Sequence, residues 1–237
     1  MEIQSIEATV PPNCSTNIYV MCSEKIAPAW IDIPEDIAPH FVVTDVKVGM
    51  SSQLISTGCV PATFFTKRAR RKDLLLDLLP SDLNFILSVT NITGSDQKFR
   101  FVLHGAPVPA DHRLSLRDGA HVAVLGLGLT LVKPGEHATI NVEPQLVFSP
   151  RRLHLPPDVL VSFEVHELVK LPMLGALPSS RVSSHYLKTD RLRQNGIVDL
   201  WPDPRTRPSQ YLSLMVTNHA GRTLGFSGAL AGQIHHY

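Results

Sequence analysis

An all-β chain made of two tandem copies of one antiparallel β-sandwich is predicted by three observations. The chain repeats itself from end to end, its apolar residues alternate with a period of two, and prolines and glycines punctuate it at short intervals. Nineteen prolines and fourteen glycines stand among 237 residues, which leaves little room for long helices.

The repeat is clearest in "LSVTNITG" (Leu87 to Gly94) and "LMVTNHAG" (Leu214 to Gly221). A shift of 122 residues lays Val10 to Val43 on Val132 to Val165 without a gap, matching Pro12 with Pro134, Ile18 with Ile140, Pro28 with Pro150 and Phe41 with Phe163. The same shift pairs Asp77 with Asp199. Beyond an insertion near "DPRTRPS", a shift of 127 pairs Asn91 with Asn218, Phe99 with Phe226, Leu103 with Leu230 and Gly105 with Gly232. These are mostly apolar residues, prolines and turn residues, the types that set a fold. The expected layout is a first copy over 1–110, a linker or crossover strand over 111–122 and a second copy over 123–237, each of ordinary domain size.

Within the copies, "NFILSVTN" turns Phe85, Leu87 and Val89 to one side and Ile86, Ser88 and Thr90 to the other. Asn91 and Gly94 suit a turn, after which "KFRFVL" resumes the alternation as an antiparallel partner. "TNIYVMC", "AWIDI", "HFVVTDVKV" and "PATFF" read as further strands. "HVAVLGLGLTLV" (His121 to Val132) is too short to span a membrane as a helix and reads as a strand pair or one long strand. Seven or eight short strands per copy suit a sandwich or jelly roll. "KDLLLDLLP" (Lys72 to Pro80) is the one expected helix, and its twin "QNGIVDLWP" fits a strand or a single turn.

The balance of 22 basic and 21 acidic residues gives a net charge of +1, too small to draw the whole protein to nucleic acid or membrane. The N-terminal stretch has no basic-then-apolar leader, so synthesis in the cytoplasm without a signal peptide or membrane segment is expected. Cys14, Cys22 and Cys59 lack CxxC spacing, which argues against a disulfide framework or zinc site. Sequons at Asn13 and Asn91 read as chance.

The acids Asp36/Asp158, Asp77/Asp199 and Asp45/Glu167 recur in both copies and would suit paired carboxylates for hydrolysis or a calcium site, but no calcium-loop spacing accompanies them, Asp36 and Asp158 follow prolines in turns, and the structural reading is preferred. Eleven histidines are scattered without HxH or HExxH spacing and are expected at exposed strand positions. "GFSGALAG" has Ala229 where a nucleophile elbow needs glycine. No catalytic, cofactor or metal residue is therefore assigned, and no enzyme activity is expected. The one sharp charge feature is "KRARRK", with Lys67, Arg68, Arg70, Arg71 and Lys72 giving five cations in six residues. Its counterpart "TDRLRQ" has lost most of that charge. The cluster fits either phosphate binding or a nuclear-import signal on one side, or a solvated loop on the other.

The duplicated strand-turn-strand "LSVTNITGSDQKFRFVLHG" and its twin resemble tandem jelly-roll capsid proteins, in which two rolls per chain let a trimer imitate a hexamer. The resemblance implies a self-assembling structural subunit of a capsid, virion or shell, trimeric or larger. It implies residence in a virion, with the basic cluster facing packaged nucleic acid. The alternative is a non-catalytic, lectin-like binding module. Trp30 aligns with Arg152 and Trp201 with Leu79, so two equivalent aromatic sites are not expected.

Overall fold

The structure is a computed structural model that describes residues 2–55, 58–67, 76–109, 121–172, 181–182, 196–200 and 210–235. The chain divides into two compact units, Met1–Leu54 with Pro61–Ala123, and Ile55–Val60 with Val124–Tyr237. In chain order the first strands are β1 (Glu2–Gln4), β2 (Ala8–Val10), β3 (Ser15–Met21), β4 (Ile26–Asp32), β5 (Phe41–Val48), β6 (Ser51–Ser52), β7 (Val60–Pro61), β8 (Asn84–Asn91), β9 (Gln97–Phe99) and β10 (Val102–Pro107). Then come β11 (His121–Val132), β12 (His137–Val142), β13 (Val147–His154), the short helix α1 (Pro157–Ser162), β14 (Phe163–Pro172), β15 (Arg181–Val182), β16 (Ile197–Asp199), β17 (Gln210–Asn218) and β18 (Leu224–His235).

The first unit holds the sheets β1-β10-β4, β2-β9 and β3-β8-β5-β6. In the second, the orders are β11-β18-β13-β16 and β12-β17-β14-β15. Their registers correspond closely. Ser15 opposes Thr90 and Ile18 opposes Leu87, while His137 opposes Thr217 and Ile140 opposes Leu214. The ladder slips between Val43 and Asp45 in β5, and between Val165 and Glu167 in β14. A second irregularity leaves Gly105 opposite Pro28 and Gly232 opposite Pro150. Each second-unit residue here stands 122 or 127 positions after its first-unit counterpart, as Val132 does after Val10 and Asn218 after Asn91.

Close backbone contact explains the two glycines. A Cβ on Gly105 would stand 2.9 Å from the Ala27 carbonyl oxygen, and one on Gly232 only 2.0 Å from that of Ser149. Neither position has room for a side chain without moving backbone. The turns before β3 and β12 match as well, with left-handed Asn13 (φ 56°) and Gly135 (φ 69°).

Period-two burial builds each core. Phe85, Leu87 and Val89 are fully buried in the first unit, and Leu212, Leu214 and Val216 in the second. Phe41 meets Phe99 edge to face at 4.8 Å, and Phe163 meets Phe226 in the same way at 5.3 Å. Such pairs add about 0.5–1.5 kcal/mol beyond area burial.

Four local expectations need correction. "PATFF" is no strand: Ala62–Phe65 forms a 3-10 turn that buries both Phe64 and Phe65, which a half-buried strand cannot do with adjacent residues. In the expected helix "KDLLLDLLP", residues 76–80 are not helical, because Leu79 forms an isolated antiparallel bridge with Ile26 through two backbone hydrogen bonds of 3.0 Å each; residues 72–75 lie outside the described residues. Asp158 stands in the first turn of α1 rather than in a loop, with Pro157 starting the helix. Histidines are not uniformly exposed, since His154 is buried and His104 is largely covered by Trp30.

"HVAVLGLGLTLV" is one long strand, β11, and "QNGIVDLWP" contributes β16. His121 and Val122 therefore open β11, while residues 111–120 of the expected linker lie outside the described residues. Among the described residues, no helix is long and apolar enough to cross a membrane.

Candidate functional site

The duplicated phrase forms a buried corner in each unit. Asn91 ends β8 and donates its side-chain amide to the carbonyls of Val10 and Ser95, each at 2.8 Å, while its Oδ1 accepts the Thr93 N–H at 2.9 Å. Asn218 ends β17 and donates to Val132 at 2.8 Å and Arg222 at 2.9 Å, and its Oδ1 accepts the Ala220 N–H at 2.8 Å. Both side chains are fully buried with donors and acceptors used, which ties a sheet corner to the end of a neighbouring strand. These asparagines are fold residues, and burial makes the Asn91 sequon unavailable for modification.

Of the basic cluster, Lys67 is exposed just beyond the 3-10 turn, which closes where the Thr66 hydroxyl bonds the Thr63 carbonyl at 3.0 Å. Phe64 and Phe65 pack against each other at 5.1 Å and are buried in the core, so they offer no platform for stacking bases. Arg68, Arg70, Arg71 and Lys72 lie outside the described residues.

The recurring acids are held separately. Asp45 accepts the Val46 N–H at 2.8 Å and the Ser52 hydroxyl at 2.6 Å, with Lys47 at 3.3 Å. Asp77 and Gln53 exchange two hydrogen bonds, and Asp199 pairs with Arg152 at 3.0 Å. Among the described residues, no group of three or more His, Cys, Asp or Glu is arranged to hold a metal ion.

Sequence reasoning missed two clusters on the sheets. In the second unit, the buried Thr217 hydroxyl lies 2.7 Å from Nδ1 of His137 and 2.5 Å from Nε2 of His166. Thr217 opposes both His137 and Glu164, and His166 is the extra residue of the β14 bulge. Glu164 joins them, 3.9 Å from His166 Nδ1 and 2.9 Å from His219 Nε2. With one proton and two lone pairs, the hydroxyl can accept from one imidazole while donating to the other. This arrangement can relay a proton along a sheet face. At the matching place in the first unit, Ser15 simply bonds Thr90 at 2.6 Å. The second cluster, in the first unit, stacks Trp30 on His104 at 4.5 Å, with Glu2 3.5 Å from Nδ1 and Asp32 3.9 Å from Nε2 of the imidazole. Both clusters join residues far apart in sequence, so no local spacing marks them.

An exposed apolar cluster lies at one end of β3-β8-β5-β6. Met21 opposes Asn84 at the end of β3, Leu83 precedes Asn84, and the Gly49–Met50 turn is bonded to the Asn84 carbonyl through the Gly49 N–H at 2.8 Å. Met21 is 76% exposed and Met50 91%.

Among the described residues, three side chains have shifted acidity. Lys98 bonds and attracts Glu7, with help from Arg100, holding the Glu7 carboxyl below the usual range. Burial raises the thiols of Cys59 and Cys22, with Glu24 adding to the effect at Cys22. Compared with known proteins, the chain matches no family model, no curated protein and no solved structure.

Proposed function

We propose that the chain is a tandem duplication of a jelly roll and serves as a structural subunit that assembles with copies of itself into a shell, virion or array. The observation that carries this reading is strand order. Counted from β11 to β18, one sheet of the second unit runs first-eighth-third-sixth and the other second-seventh-fourth-fifth. That is the order made by the two interlocked Greek keys of a jelly roll. In the first unit, β1 and β2 play the first strand, β9 and β10 the eighth, and the Leu79 bridge to Ile26 the sixth. Shared registers, bulges, glycine contacts and asparagine corners support descent of both rolls from one.

Two related rolls on one chain present related edges to neighbours, which suits closed assemblies with more pseudo-symmetry than the chain count. The exposed cluster of Met21, Leu83 and Met50 supplies apolar surface for such a contact. In this reading, Lys67, Arg68, Arg70, Arg71 and Lys72 face a packaged nucleic acid. Fold alone supports many functions, so the assembly itself is what needs measuring. Sedimentation velocity over a hundredfold concentration range should reveal discrete species of three or more chains. A single monomer boundary throughout would rule the reading out.

A further inference from the structure

The two copies differ at one sheet edge. In the first unit β3 ends the sheet β3-β8-β5-β6, and in the second its twin β12 ends β12-β17-β14-β15. Among the described residues, each pairs with a single neighbour, β8 or β17. The Asn91 N–H donates to the Cys14 carbonyl at 3.1 Å, and on the other side of β8 the Gly49 N–H donates to the Asn84 carbonyl at 2.8 Å. Alternation from these bonds turns the main-chain groups of Thr16, Ile18 and Val20 toward β8. Those of Ser15, Asn17, Tyr19 and Met21 are directed away from β8, along the edge of the sheet.

An edge strand invites pairing with another chain unless charge, proline, brevity or a bulge blunts it. Most strands that border these sheets are blunted. β6 and β15 have two residues each and β1 and β16 three, while β4 carries Pro28 beside its register slip. β11 passes through left-handed Gly128 (φ 77°), whose N–H already bonds the Cys59 carbonyl. By contrast β3, "STNIYVM", runs seven residues with no charge, no proline and no slip against β8. Its outward residues include Tyr19, 48% exposed, and Met21, which belongs to the exposed apolar cluster with Met50 and Leu83. The shift of 122 turns Ser15, Asn17, Tyr19 and Met21 into His137, Thr139, Asn141 and Glu143. The second copy thus has a polar edge that runs into a carboxylate, so the apolar edge of the first is no requirement of the fold.

We propose that β3 is the docking strand for β3 of a second copy, paired antiparallel about a two-fold axis at Ile18. Only main-chain groups directed outward bond across such an edge, so odd-numbered positions must meet odd-numbered positions. Centring on Ile18 sets Asn17 opposite Tyr19 and Ser15 opposite Met21, which uses every outward residue of both strands. That register keeps exposed side chains on one face and buried Ile18 and Val20 on the other, continuous with both cores. With no charged residue in β3, no like charges meet across the axis. The same patch serves both chains, as a two-fold contact requires. Main-chain bonds supply the affinity, as in strand addition at any sheet edge. The pairing rests on the self-association reading above and names one of its contacts.

The test reads amide exchange of the full-length protein residue by residue, once dilute and once at a concentration where sedimentation shows association. Ser15, Asn17, Tyr19 and Met21 should exchange roughly tenfold more slowly in the associated sample, while Thr16, Ile18 and Val20 are protected in both. Association without that slowing overturns the pairing and leaves the assembly reading standing. Equal protection in the dilute sample means the chain covers its own edge, which overturns the pairing too. No association at any concentration removes both. Tyr19→Pro deletes an outward N–H and spares the bonds to β8, so it should weaken self-association roughly tenfold with native circular dichroism. Thr139→Pro, the same change on the outward side of β12, should leave association unaltered, and equal weakening by it would refute a β3-to-β3 contact. Should Tyr19→Pro fail to fold, Tyr19→Lys decides: it sets like charges diagonally across the axis, and unchanged association refutes the pairing.

Discussion

The side-chain amide of Asn218 lies 2.8 Å from the Val132 carbonyl, the same reach that joins Asn91 to Val10. In both units this one side chain supplies bonds to a strand end and to a turn, in a place water does not reach. Asn91→Ala and Asn218→Ala each leave one buried carbonyl, that of Val10 or Val132, without its partner and remove two further bonds to a part-buried turn. Each should destabilise its unit by about 1–3 kcal/mol, the scale for one orphaned buried group. Urea unfolding followed by hydrogen exchange of β8 and β17 checks this, and similar losses in the two units are expected.

Gly232→Ala should cost more than Gly105→Ala. The new methyl meets the Ser149 oxygen at 2.0 Å in the first case and the Ala27 oxygen at 2.9 Å in the second. About 1–3 kcal/mol is the usual scale of such overpacking, with Gly232→Ala at its upper end. Thermal midpoints of the two variants give the order directly.

Glu7 supplies a pH prediction. Lys98, and then Arg100, depress its carboxyl in the folded chain. A depressed carboxylate contributes stability above its unfolded value, and that contribution is lost as pH falls through the folded value. Lys98→Met should therefore return the Glu7 carboxyl toward the ordinary range, seen by carbon-detected NMR titration. No movement would mean the 2.9 Å contact with Lys98 does not persist in solution.

Thiol chemistry should follow burial. Cys14 is exposed, while burial raises the thiols of Cys22 and Cys59 and so disfavours their reactive thiolates. Iodoacetamide should label Cys14 first in the native protein, and all three at comparable rates in urea. Mass spectrometry of timed digests reads the order.

Neutralising Lys67, Arg68, Arg70, Arg71 and Lys72 together should weaken nucleic-acid binding and flatten its dependence on salt, since each phosphate contact contributes to the slope. Fluorescence anisotropy across a salt series measures both. Unchanged binding would leave the cluster as solvated surface.

The sequence made the fold legible wherever the signal was local. Alternation in "NFILSVTN" and its closing asparagine pointed to β8 and its turn, because a strand's burial and a turn's backbone needs are written in neighbouring residues. It misled where tertiary pairing overrode local preference. Leu79 looks helical among leucines but is held in an isolated bridge by Ile26, and "PATFF" looks like a strand until both phenylalanines turn inward. The His137-Thr217-His166 cluster and the Trp30-His104 stack join residues tens of positions apart, so neither leaves a mark that spacing can detect. The basic cluster was plain from composition alone, which says what charge is present and nothing of what it touches.

The central claim is that this chain builds an assembly from two related rolls. Electron microscopy of the purified protein at high concentration tests it most directly. Closed shells, rings or ordered arrays of a repeating trimeric or larger unit are the predicted result, and Met21→Lys with Met50→Lys should dissolve them. A field of single chains alone, at concentrations well above those of any shell-forming protein, would contradict the account.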